Sequence, residues 1–146
     1  MTYAFFYVFM TLGAFGVVVA LGKRGERLEG YRGLAAQRPG TAAIMLLFLM
    51  SLTGIPPTAG FTAKFAVILS VVRAGQIALA VLAVACSVVS AFFYMRVAVL
   101  MYMGGPEEPV PSRVPAAVSA ALAVAALVTL IGGISPGSLA PWTVSP

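Results

Sequence analysis

The feature that most limits what this chain can fold into is the apolar run at residues 41–72, interrupted near its middle by Gly54-Ile55-Pro56-Pro57 and carrying Lys64 beyond the interruption. As one straight helix those residues would measure about 48 Å, against a hydrocarbon core of roughly 30 Å. Proline removes a backbone donor and clashes with the turn before it, so Gly54, Pro56 and Pro57, with Gly60 as the second glycine of the break, predict two half-helices instead of one rod. A broken helix at membrane depth survives only where protein or a water-filled cavity satisfies the freed carbonyls. Lys64 follows the break at about two helical turns, or roughly 10 Å.

A lysine in such a place has two readings. It can snorkel, with its stem in lipid and its ammonium at the interface. Against that, Arg73 already marks the end of the segment, about 13 Å further at helical rise. Thr53, Pro57, Gly60 and Lys64 fall at helical spacing on one small or polar stripe, and Phe61, Phe65 and Val72 lie on another face. The stripe is expected to point into a helix bundle, with Thr53 and Thr58 as polar lining. An intramembrane ionisable residue is a functional-site hypothesis by default, and lysine suits proton exchange because its charge state responds readily to burial.

Composition places the whole chain in the same solvent. It is 61% hydrophobic and 9% charged, with a mean hydropathy of +1.03, which excludes a soluble globular domain and indicates an all-α integral membrane bundle. Four spans are expected, at about 2–21, 41–72 (discontinuous), 77–103 and 114–134, forming a single membrane domain over 1–146. The net charge of +5 does not indicate nucleic acid, because five of the nine basic residues (Lys23, Arg24, Arg27, Arg32 and Arg38) sit in the loop 22–40. That loop reads as a solvated cytoplasmic anchor. With 104–113 also cytoplasmic, both termini are expected outside, in the inner membrane of the cell. The chain opens directly on membrane-type sequence with no basic leader, which suggests a piece of something longer.

The remaining residues are assigned bland roles. Tyr3, Phe5, Phe6, Tyr7 and Phe9 read as an interfacial aromatic belt, and Gly13 and Gly16 as points of close helix approach. Cys86 reads as a small packing residue, Glu107 and Glu108 as solvated loop charges, and Trp142 as an interfacial anchor. Arg96 is expected either to snorkel to a cytoplasmic headgroup or to pair with a buried group. A lone cysteine and no histidine exclude an internal disulfide and the usual zinc or haem ligation. No phosphate loop, nucleophile elbow or metal motif is present.

Four stretches together resemble a known family: Phe9-Met10-Thr11-Leu12-Gly13-Ala14-Phe15-Gly16-Val17-Val18; Tyr31-Arg32-Gly33-Leu34 with Arg38-Pro39; Ser51 through Phe61 with Lys64-Phe65; and Tyr94-Met95-Arg96-Val97-Ala98-Val99. In order and spacing they are similar to subunit N of respiratory complex I, the NADH-quinone oxidoreductase. The resemblance implies that the spans correspond to the last four of fourteen helices, with residues 41–72 as the broken twelfth. It further implies that Lys64 takes the place of the family's lysine in the distal proton half-channel. Partners would be the other membrane subunits and the preceding helices. NADH, FMN, iron-sulfur clusters and quinone would belong to other subunits, with no cofactor in this chain, which would be part of a translocase and not catalytic alone. A cation/proton antiporter subunit, a membrane-bound hydrogenase subunit and a structural membrane module without transport are the alternatives.

Overall fold

In a computed structural model, residues 2–105 and 115–134 are described, and all of their regular structure is helical. Six α-helices follow in order: α1 Thr2–Leu21, α2 Leu34–Gln37, α3 Pro39–Thr53, α4 Ala59–Arg73, α5 Ile77–Met103 and α6 Ala116–Ile134. Two 3₁₀ turns, Gly22–Glu26 and Leu28–Tyr31, stand between α1 and α2. Among the described residues, three helices are long and apolar enough to cross a membrane: those based on α1, α5 and α6. The apolar stretch between α2 and α5 is instead divided between α3 and α4, each of 15 residues and about 22 Å long. The protein is a membrane protein built of apolar helices.

The break has an identifiable cause at each step. Gly54 ends α3 at φ +89°, a left-handed conformation that glycine adopts without a Cβ penalty. Its N–H donates to the Met50 and Ser51 carbonyls, both at 3.0 Å, and the Ile55 N–H reaches back to Met50 O at 3.0 Å. This is a Schellman-type stop. Pro56 and Pro57 are exposed and joined by a cis peptide. Thr58 closes the turn, its N–H and hydroxyl both donating to Ile55 O, at 3.2 and 2.7 Å.

α1, α3, α5 and α6 pack around a core of Val17, Leu21, Phe48, Leu49, Met101 and Leu122, joined by Tyr31 and Leu34 from the connection after α1. Phe48 seats on Gly13 and Leu122 on Gly16, so the two glycines of α1 admit α3 and α6 respectively. A second, smaller cluster of Phe6, Met10 and Ala59 lies beside the break. Phe6 therefore differs from the expected interfacial ring: it is 4% exposed and packs on Gly132 of α6, whereas Phe5 and Tyr7 remain exposed. Neighbouring aromatics on a helix point in different directions, so Phe6 turns toward α6 while Phe5 and Tyr7 next to it stay uncovered.

The loop 22–40 also differs from a simple solvated anchor. Arg24 Nε donates to Gly30 O at 2.6 Å and its Nη2 to Arg32 O at 3.3 Å, while the Tyr31 hydroxyl donates to Gly25 O at 2.9 Å. The Gly33 N–H bonds Leu100 O of α5 at 3.1 Å. Tight 3₁₀ turns leave carbonyls pointing outward, and these side chains gather them. Burial raises the Tyr31 phenol above its ordinary pKa. Cys86 is exposed on α5 and not packed as expected. Arg96 is exposed on the same helix. Glu107, Glu108 and Trp142 lie outside the described residues.

Candidate functional site

When a helix stops in the middle of an apolar segment, its last carbonyls lose their donors. At the end of α3 two of these acceptors, Leu52 O and Thr53 O, receive the Lys64 ammonium at 2.8 and 3.1 Å. The lysine reaches back from the second turn of α4 across Gly54, where its methylene stem lies against the missing Cβ. A positive charge at the carboxyl end of a helix is also favoured by the helix dipole. Lys64 is half-buried, and an ammonium has three donors, so one is left without a protein partner among the described residues.

A cleft of about 280 Å³ opens beside the lysine, between α4 and α5. Thr53, Gly54, Phe61, Phe65, Val84, Ser87 and Val88 help to line it. Phe61 and Phe65 stack with centroids 5.9 Å apart. Polar groups are few there: the Thr53 hydroxyl is turned back to Leu49 O at 2.8 Å, and Ser87 Oγ to Ala83 O at 2.9 Å.

The residues expected to form one polar stripe are separated by the break itself. Helical spacing holds from Gly60 to Lys64 within α4, but does not carry across residues 54–58. Thr53 meets the lysine through its carbonyl, not its side chain. Thr58 is buried at 6% exposure and occupied with Ile55 O. Gly60 is buried against Ser51, whose carbonyl leaves no room for a Cβ. Pro57 presents its carbonyl to Gly133 of α6. Arg96 is not among the residues lining the cleft.

Two residues stand out that the sequence reading did not single out. Ser51 is fully buried, accepts the Gly60 N–H at 3.1 Å and donates to Met10 Sδ at 2.7 Å. Thr62 donates to Ala59 O at 2.9 Å and lies 3.5 Å from Gly132 O, near the end of α6. The available signal for Ser51 was a hydroxyl in an apolar helix three residues after Phe48 and three before the helix-ending glycine. Among the described residues no group of three or more His, Cys, Asp or Glu stands together.

A profile of the family described as NADH:quinone oxidoreductase/Mrp antiporter, transmembrane, matches residues 1–90. The chain belongs to this family. Among its relatives within the NADH:quinone oxidoreductase/Mrp antiporter family is NADH-quinone oxidoreductase subunit N 2 of Rhizobium meliloti, 48% identical over 139 residues, covering 93% of this chain and 29% of that protein. Subunit N of Desulfovibrio desulfuricans is 41% identical over 157 residues, covering 96% and 31%. Among solved structures, a chain of respiratory complex I from Thermus thermophilus with bound aureothin superposes with a TM-score of 0.79 at 29% identity, over 96% of this chain and 34% of that one. The chain thus spans about a third or less of the length of these relatives.

Proposed function

We propose that this chain is the last four-helix part of a proton-translocating subunit N of NADH-quinone oxidoreductase, with Lys64 as the proton-carrying residue of its distal half-channel. On this reading α3 and α4 together make one discontinuous crossing, the fourth beside α1, α5 and α6, and the other spans of the subunit and its neighbouring membrane subunits complete the path. The basic loop 22–40 then faces the cytoplasm, with the termini on the outer side of the inner membrane.

The observation that carries the proposal is the Lys64 ammonium on the open carbonyls of Leu52 and Thr53. Exposed half-helix carbonyls inside a membrane receive cations and protons, and a site of this kind lets an amine change charge without leaving a bare ion in lipid. The depth also agrees. Thr62, one half-turn from Lys64, abuts Gly132 close to the end of α6, so the lysine lies in the half of the bundle away from the basic loop. Protonation is driven by neighbouring charges: two charges a few ångströms apart interact by about 4 kcal/mol at an effective dielectric near 20, enough to move a proton along a relay. Electrons pass through other subunits, and this chain supplies the amine and the break that holds it.

The same two hydrogen bonds support a second reading, in which Lys64 is a structural cap on α3 and carries no proton. Replacing Lys64 with Met in the assembled complex separates the two. The transport reading predicts normal assembly and NADH oxidation with proton translocation lowered at least severalfold. Loss of assembly with intact pumping in the assembled remainder supports the cap alone.

A further inference from the structure

The first N–H groups of α4 have no partner within that helix, and the residue before it, Thr58, makes no side-chain cap because its hydroxyl is spent on Ile55 O. The donor at Gly60 is instead satisfied by the Ser51 hydroxyl of α3 at 3.1 Å. At the opposite end of the same joint, Lys64 of α4 caps the carbonyls of Leu52 and Thr53, the two residues that follow Ser51. The half-helices therefore cap each other. We infer that Ser51 is a positioning residue for Lys64, holding the start of α4 against α3 so that the ammonium, one turn beyond Gly60, meets the α3 carbonyls.

Three details make this joint directional. Ser51 is fully buried, so its hydroxyl has no water to turn to. Its proton goes to Met10 Sδ of α1 at 2.7 Å, which leaves an oxygen lone pair for the Gly60 N–H. Gly60 packs so closely on the Ser51 carbonyl that only a residue without Cβ fits there. Gly60 and Lys64 share a helix face, so a shift or tilt at the first moves the second.

The inference rests on Lys64 carrying protons, and its test separates the two ideas. Ser51→Ala, Lys64→Met and the double variant are placed in the full-length subunit of the assembled complex. Proton translocation per NADH oxidised is then measured across a pH series. Ser51→Ala is expected to lower translocation by roughly fivefold, the size of one lost cap, and to displace its pH profile, with no further loss in the Lys64→Met background. Ser51→Cys, which keeps the size and a weak acceptor, is expected to fall between Ala and wild type, and it serves if Ala does not assemble. An equal drop in both backgrounds with an unmoved pH profile overturns the positioning role and leaves the Lys64 reading standing. An unaltered Lys64→Met overturns both.

Discussion

The two halves of the interrupted crossing are equally long and are treated in opposite ways by the rest of the molecule. α3 buries Ala42, Met45, Phe48, Leu49 and Ser51 along its length, against α1, α5 and α6. α4 buries only Ala59, Gly60 and Ala63, all within its first five residues, and leaves Phe65 57% exposed. One half is fixed by side-chain packing. The other is fixed at its starting turn by main-chain and polar contacts: Gly60 to Ser51, Thr62 near Gly132, and Lys64 to the end of α3. A lysine placed at that boundary is held at its tip by the end of α3 while a cleft stays open beside it, the arrangement that the proposed proton-carrying role needs.

The contrast is easiest to break at the two phenylalanines. Phe48→Ala, at a site with no exposure, is expected to cost about 3–5 kcal/mol, and Phe65→Ala under about 1 kcal/mol, in thermal unfolding of this chain in detergent. Equal costs would mean that α4 is as tightly packed as α3. Next in size is the joint: Gly60→Ala forces a methyl into the Ser51 carbonyl and is expected to cost about 1–3 kcal/mol by the same measurement. Gly40→Ala, where nothing lies within 4 Å of the added Cβ, is the control and should be close to neutral.

How much of this was legible beforehand differs residue by residue. The interruption could be read because Gly54 and two prolines act locally, through φ and a missing donor, and local chemistry is written in order along the chain. Lys64 stood out because a charge in an apolar run has few explanations. Its partners did not, since they are backbone carbonyls, which every residue possesses. The polar stripe from Thr53 to Lys64 assumed one helical phase throughout, and the left-handed turn at Gly54 resets that phase. Ser51 was hidden for a related reason: its role depends on Met10 and Gly60 arriving from two other helices. Phe6 and Cys86 show the same limit, as composition says that a residue is apolar or small and not which neighbour it meets.

Smaller effects sharpen the picture at the loop end. Tyr31→Phe removes the hydrogen bond to Gly25 O and is expected to cost about 1 kcal/mol. Because burial holds the folded phenol above its unfolded value near 10, that residue's contribution is whole below about pH 10 and is lost as pH rises through the folded value. An ultraviolet titration of phenolate absorbance in wild type minus Tyr31→Phe should therefore show a midpoint above 10. A midpoint at 10 would mean that the loop is open to water. Smallest of all, Cys86→Ser on the uncovered face of α5 should change stability by less than about 0.5 kcal/mol.

That silent substitution permits the most direct test of whether water reaches the lysine at the break. In a Cys86→Ser background, Lys64→Cys is introduced into the full subunit in membranes and treated with a charged, membrane-impermeant methanethiosulfonate, modification being read from the mass of the peptide that contains residue 64. Water access from the outer side predicts modification at that position. Reaction only with a lipid-soluble reagent would put the site in oil and contradict the account.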